Sequence, residues 1–128
     1  MDPSFLSATQ LAGLVRNRKI GAFELLNHYI GRTEAYDSRI NAIVVRDFDR
    51  ARARAKTLDS QADKSAPLFG VPMTAKENFD IQGLPTTRGH LEAKDRPVAV
   101  TSLPIRRLEA AGADRSLCLP EHDRRARV

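Results

Sequence analysis

The sequence has 128 residues, the size of one ordinary domain, and its 41% hydrophobic and 29% charged residues are typical of a folded chain. It has no apolar run near the roughly 18 residues that span a bilayer, no secretory leader at its start and a single cysteine, which together predict a cytoplasmic protein without membrane contact. The net charge of +5 is spread along the chain, and with 5% aromatic residues and no tryptophan it favours a solvated basic surface over a nucleic-acid site.

The first half of the chain predicts three helices and a short strand. Ser7 and Gln10 have the spacing of a capping box, and the apolar residues after them recur at helical intervals, which predicts a helix from about residue 8 to 17. A second helix is predicted from about 22 to 36, with apolar side chains along one face. The β-branched run at 41–45 predicts a strand, and alternating alanine and arginine predict a third helix over 47–62.

The second half begins with the order of a βαβ unit. A strand is predicted around Val71 to Ala75, a loop after Asp80, and a helix over 98–111 with Pro104 in its first turn. Gly112 is a natural stop for that helix. A second parallel strand should follow, but residues 114–128 have no hydrophobic period and end in an arginine-rich stretch, so we expect no strand there.

One segment of this half has many positions in a distinctive order: Gly70-Val71-Pro72-Met73-Thr74-Ala75-Lys76-Glu77-Asn78-Phe79-Asp80-Ile81-Gln82-Gly83-Leu84-Pro85-Thr86-Thr87. It resembles the amidase-signature family, in which a Gly-hydrophobic-Pro-hydrophobic-x-hydrophobic-Lys segment precedes an acidic residue and a Gly-x-Pro-Thr-Thr loop. Residues 7–11, 40–42 and 107–113 are similar to the same family. The resemblance therefore covers roughly residues 5 to 113.

The resemblance implies both a fold and a reaction. The implied fold is α/β, with amino-terminal helices followed by the first strands and helix of an amidase-signature mixed sheet, here incomplete. Residues 1–113 would be the amino-terminal part of that domain, and 114–128 an atypical tail, either frame-shifted or disordered. The family hydrolyses carboxylic amides with a Ser-Ser-Lys triad, made of a serine nucleophile, a second serine on a cis peptide bond and a lysine. Only the lysine has a counterpart, Lys76.

A lysine that accepts a proton must be neutral, which sets a condition on its surroundings. A free lysine, with a pKa near about 10.4, is charged at neutral pH. Burial disfavours the cation and lowers the pKa, so we expect Val71, Met73 and Ala75 to provide apolar surroundings for Lys76. Without the resemblance, a lysine at a strand end would be interpreted as an ordinary solvated residue.

The two serines of the triad have no counterpart, because the sequence contains no Gly-Ser-Ser-Gly, no Gly-Gly and no serine beside a glycine. Ser102 lies in a predicted helix and Ser116 in the tail, so neither has the glycine-flanked setting that exposes a nucleophile. The remaining candidates have no evident base or metal partner, and we predict neither a metal nor a cofactor: His28, His90, His122 and Cys118.

Three functions stay open at this point. The first is an amidase-family chain that lacks the serine nucleophile and is inactive alone on its small-molecule amide substrate. The second is a non-catalytic interaction module derived from the same amino-terminal region, and the third is a weak basic nucleic-acid binder. In the intact family the strand at 71–75 should be buried on both faces. Here we expect an unpaired apolar edge that leads to self-association.

Overall fold

The computed structural model describes residues 2–88 and 90–119 and contains helices followed by a small parallel sheet. The helices are α1 (Ala8–Arg16), α2 (Ala22–Ile40), α3 (Phe48–Ser60) and α4 (Leu103–Ala110), and the strands are β1 (Pro72–Lys76) and β2 (Asp114–Leu119). Short 3-10 turns lie at Pro3–Phe5 and Leu91–Ala93. No helix in these described ranges combines the length and apolar character needed to cross a membrane.

The three predicted helices of the first half are confirmed, with shifts at their ends. At the start of α1, the Gln10 N–H donates to Ser7 Oγ at 3.3 Å and the Ser7 N–H donates to Gln10 Oε1 at 2.8 Å. This capping box satisfies two N–H groups that the helix itself leaves without partners. Helix α2 continues past residue 36 to Ile40, and α3 ends at Ser60.

The main core lies between these helices and the segment that leads into β1. Helix α3 contributes Ala51, Ala55 and Leu58, which recur at helical spacing and are almost fully buried. Ala51 and Ala55 therefore face the core, whereas Ala53 and Arg50 are exposed and Arg52 and Arg54 are half-buried. The other buried members of the cluster are Leu11, Ala12, Val15, Ala22, Leu25, Leu26, Ile30, Phe69 and Val71.

The predicted strand at 41–45 is wrong, because a side chain takes the hydrogen bonds that a strand would need. Asn41 ends α2 in the left-handed region, with φ of 52°. The buried carboxylate of Asp37 then accepts the N–H groups of Ala42 at 2.6 Å and Ile43 at 3.1 Å, and it pairs with Arg46 at 3.0 Å. Residues 41–44 are consequently a side-chain-stabilised connection between α2 and α3, and Val45 makes only an isolated β-bridge.

A second parallel strand does follow Ala113, so the expectation that none would form is wrong for residues 114–119. Strand β2 pairs with β1 in parallel, from Pro72 opposite Asp114 to Lys76 opposite Leu119. The pairing uses main-chain groups, which any sequence supplies, and so it does not require an apolar period. The rest of the predicted tail, 120–128, lies outside the described residues.

Helix α4 begins at Leu103, later than predicted, with Pro104 in its first turn as expected. The residues before it instead bond to the loop after β1. The Gly83 N–H donates to the Val98 carbonyl and the Val98 N–H to the Leu84 carbonyl, both at 3.0 Å. Because its N–H and its carbonyl make these bonds, Val98 is not part of the helix.

The two faces of β1 have different surroundings. Ala75 is buried in a smaller core with Ile81 and Ile105, whereas Thr74 and Lys76 are exposed. Within residues 2–88 and 90–119, β1 is paired along one edge only. Helices that precede a half-covered parallel sheet make an α/β arrangement, and the burial on both faces expected of the intact family is not present here.

The hydrogen bonds and ion pair of Asp37 lead us to expect that the stability of the folded chain depends on pH. Burial raises the pKa of the Asp37 carboxyl, but the N–H groups of Ala42 and Ile43 and the Arg46 guanidinium outweigh it, so the pKa lies below its ordinary value. A lowered folded-state pKa contributes stability above the unfolded pKa, about 3.9, that is lost as the pH falls. We expect Asp37→Asn to lower the melting temperature at pH 7. Melts from pH 7 to pH 2 should show the two proteins converging, and a constant difference would contradict this.

We predict that position 112 tolerates no residue other than glycine. Its φ is +93°, and an added Cβ would lie 2.8 Å from Phe69 Cα and 2.9 Å from Ala66 Cβ. The backbone strain and the clash together should lower the free energy of unfolding of Gly112→Ala by about 2 kcal/mol or more in urea titrations.

Gly31→Ala is the matched control for this substitution. Gly31 is an exposed residue of α2 with nothing within 4 Å of an added Cβ. The same change should therefore raise stability there, by about 0.5–1 kcal/mol. Equal stability of Gly112→Ala and the native chain would show that the close approach is not a constraint.

Candidate active site

Lys76 is the last residue of β1 and stands at the carboxyl end of the parallel pair, opposite Leu119. Its carbonyl accepts the Phe79 N–H at 3.0 Å, so a tight turn follows the strand directly. In open α/β sheets, ligands bind beyond the carboxyl ends of the strands. The structure therefore places Lys76 at the end of the sheet where a site is expected.

The surroundings of Lys76 differ from those expected. Met73 and Ala75 pack in the smaller core, but Lys76 lies on the opposite, exposed face because successive side chains of a strand alternate. Val71 belongs to the main core and does not cover Lys76 either. Burial of Lys76 by these three residues is thus a wrong expectation, and the cause is the period of the strand.

Glu77 was missed by the sequence analysis as a site residue. It is the first residue of the turn after β1 and is buried, with 7% of its surface exposed. Its Oε1 accepts the Thr87 N–H at 3.2 Å and also a short hydrogen bond from the Thr87 hydroxyl. The available signal was its place in the motif, as the acidic residue that directly follows Lys76.

The loop after Asp80 is confirmed as a loop, and main-chain bonds hold it in place. Pro85 and Pro97 form an antiparallel bridge, next to the bonds that join residues 83 and 84 to residue 98. The Gln82 N–H donates to Thr101 Oγ1 at 3.0 Å, and Arg50 of α3 donates to the Gln82 carbonyl at 3.3 Å. Glu77 therefore joins the end of β1 to an ordered segment.

The serines considered as substitute nucleophiles lie on other elements than Lys76. Ser102 precedes α4 as its N-cap, and its N–H donates to the Asp80 carbonyl at 2.8 Å. No hydrogen bond of the described residues joins Ser102 Oγ to Lys76. Ser116 lies within β2. A lysine amine at an open strand end can bind an anion or exchange a proton.

His28 has partners that the sequence analysis did not foresee. Its Nε2 lies 2.9 Å from Ser4 Oγ and 3.3 Å from Asp2 Oδ1. In a Ser-His-Asp triad the serine and the carboxylate bond to different ring nitrogens, whereas here both contacts reach the same one. The cluster therefore attaches the first 3-10 turn to α2 rather than activating Ser4.

The other candidate side chains are His90, His122 and Cys118. His90 is exposed, with Nδ1 3.7 Å from Glu92 Oε1. His122 lies outside the described residues, and Cys118 is a residue of β2 opposite Ala75. In the part of the chain that the structure describes, no three histidine, cysteine or acidic residues are grouped to hold a metal ion.

Comparisons with known proteins show which family the chain resembles. The Amidase family model matches residues 24–114, which is most of the chain. The chain is 39% identical over 119 residues to the putative amidase AmiB2 of Mycobacterium bovis, covering 88% of the chain and 25% of that protein. It is 33% identical over 118 residues to human fatty-acid amide hydrolase 2, covering 84% of the chain and 22% of that protein.

The chain is also similar in three dimensions to a solved structure. A bacterial aryl acylamidase of the amidase-signature enzymes superposes with a TM-score of 0.81 at 26% identity, covering 90% of this chain and 25% of that one. The chain thus spans about a quarter or less of the length of these three proteins. Its matched segment includes β1, Lys76 and the loop that Glu77 holds. The chain belongs to the amidase-signature family.

Proposed function

We propose that this chain provides the lysine-bearing part of an amide-hydrolysing site, with Lys76 as the lysine of the family's Ser-Ser-Lys triad. The observation that carries the proposal is the position of Lys76 at the carboxyl end of β1, within the family match and before an ordered loop. The proposed reaction is hydrolysis of a carboxylic amide at its carbon–nitrogen bond. That bond is common to the amides in the names of the similar proteins. We propose a cytoplasmic site, where Cys118 would stay reduced.

The serine nucleophile and the oxyanion-binding groups have to come from polypeptide other than the residues of this sequence. A positioned nucleophile and an oxyanion hole each contribute orders of magnitude to acyl transfer, and losing one oxyanion donor costs about a hundredfold or more. We infer that the chain alone is inactive because it lacks these groups, and not because of any defect at Lys76.

The first test is hydrolysis by the isolated chain. We expect no release of ammonia from simple aliphatic or aromatic amides above the buffer rate, and no change with Lys76→Ala. Turnover that disappears in Lys76→Ala would contradict the proposal of inactivity, because it would require Ser102, Ser116 or a second copy to act as the nucleophile.

A second test supplies the absent groups. A chimera would carry residues 24–114 of this chain in place of the matching segment of the mycobacterial AmiB2 protein. The chain is 39% identical to that protein over 119 residues. We expect amide hydrolysis that falls by about a hundredfold or more in Lys76→Ala, the range of acid–base catalysis. Lys94→Ala, at an exposed lysine of the loop, is the matched control and should keep the activity. Equal rates for Lys76→Ala and Lys94→Ala would contradict the role of Lys76.

Self-association is a consequence of the same incomplete sheet. Tyr36, Ile40 and Thr74 line an open groove of about 280 Å³ between α2 and β1, and Ile40 is 67% exposed. An apolar groove beside a strand with one paired edge favours contact with a second copy.

Sedimentation equilibrium tests this association. We expect the average mass to rise with concentration, and Thr74→Lys to reduce the rise because a charge on an edge strand opposes pairing. Thr9→Lys, an identical change at an exposed residue of α1, should have no effect. A monomer at every concentration would contradict association through this edge.

A further inference from the structure

At the end of β1, Lys76 and the residue that follows it, Glu77, differ in exposure. Lys76 is exposed, while Glu77 turns inward and is buried. A buried carboxylate is costly unless hydrogen bonds compensate for its lost hydration. The two hydrogen bonds from Thr87 provide this compensation, and bonds to a charged acceptor are stronger than neutral ones.

The segment that leads to Thr87 is held by bonds that do not involve Glu77. The residues before Thr87 are bonded to Val98 through Gly83 and Leu84, and Pro85 bridges Pro97. The contact between Glu77 and Thr87 therefore attaches the end of the strand to a segment whose position is already determined. Lys76 lies between two constraints, its pairing opposite Leu119 on one side and this contact on the other.

We propose that Glu77 is a positioning residue for Lys76, rather than only a buried acid of the fold. By turning inward to Thr87, Glu77 fixes the first residue of the turn after β1 and so holds the Lys76 amine on the open face at the carboxyl end of the sheet. The catalytic meaning of this rests on the proposed role of Lys76. The contact itself acts through geometry, so any side chain that accepts both Thr87 bonds should replace Glu77.

Three variants test whether Glu77 acts on Lys76 through its hydrogen bonds or through its charge. Glu77→Gln keeps a side-chain oxygen that can accept the Thr87 bonds, and Glu77→Ala removes it. Thr87→Val keeps the N–H and removes the hydroxyl. Thr86→Val is the matched control, because the buried Thr86 hydroxyl has no hydrogen-bond partner among the described residues.

Two NMR readouts follow the contact and the amine separately in the full chain. The first is hydrogen exchange of the Thr87 amide. The second is the signal of Lys76 after ¹³C reductive methylation, which also labels the four other lysines, Lys94 among them. We expect exchange at Thr87 to rise about tenfold in Glu77→Ala, the usual effect of losing one such bond, and not in Thr86→Val.

The Lys76 signal distinguishes a positioning role from a structural one. In Glu77→Ala we expect it to move toward the signal of the exposed Lys94, in Thr87→Val to move part of the way, and in Glu77→Gln to stay. An unchanged Lys76 signal in Glu77→Ala and Thr87→Val, or a failure of Glu77→Gln to restore it, would overturn the proposal. If Lys76 had no role in hydrolysis, Lys76→Ala would not lower the activity of the chimera, while both NMR readouts would stay as expected. The proposed function of Lys76 and the positioning role of Glu77 can therefore fail separately.

Discussion

The parallel pairing of β1 with β2 is the constraint on which the position of Lys76 depends. The Gly70 N–H donates to the Gly112 carbonyl at 2.9 Å and the Asp114 N–H to the Val71 carbonyl at 2.8 Å, so the two strands are joined where they begin. Asp114 is fully buried there, and the Arg54 Nε of α3 lies 3.7 Å from its carboxylate. Since a buried charge is tolerated only with an opposite charge or hydrogen bonds, the pair connects the helical half to the sheet.

From this joint outward, the alternation of side chains determines what each residue of β1 can do. Ala75 and Glu77 point toward the protein, and Lys76 points away from it. The apolar neighbours of Lys76 in sequence therefore provide the core rather than its immediate surroundings. An amine on an open face is accessible to further polypeptide, which agrees with a chain that spans about a quarter of the length of its relatives.

The parts of the fold that could be predicted are those determined by residues close in sequence. The start of α1 follows from a capping box within four residues, and α3 from a run of alanine and arginine, which are strong helix formers. The strand predicted at 41–45 was wrong because Asp37, a residue of the preceding helix, takes its N–H groups. Strand β2 was missed because main-chain pairing carries no side-chain pattern.

The candidate site shows the same division. The motif identified Lys76 and the loop, because family resemblance preserves order along the chain. It did not identify Glu77 as a residue held by Thr87, nor the contacts of His28 with Asp2 and Ser4, because these depend on folded distances between separate segments.

The ratio of kcat/KM between the chimera and its Lys76→Arg variant tests the central claim most directly. Arginine keeps the positive charge and much of the length of lysine but does not become neutral in a protein, so it cannot accept a proton. If Lys76 is the proton acceptor of the triad, the variant should lose activity as fully as one without any amine. Activity retained by the arginine variant would contradict the account, since Lys76 would then act only as a fixed positive charge.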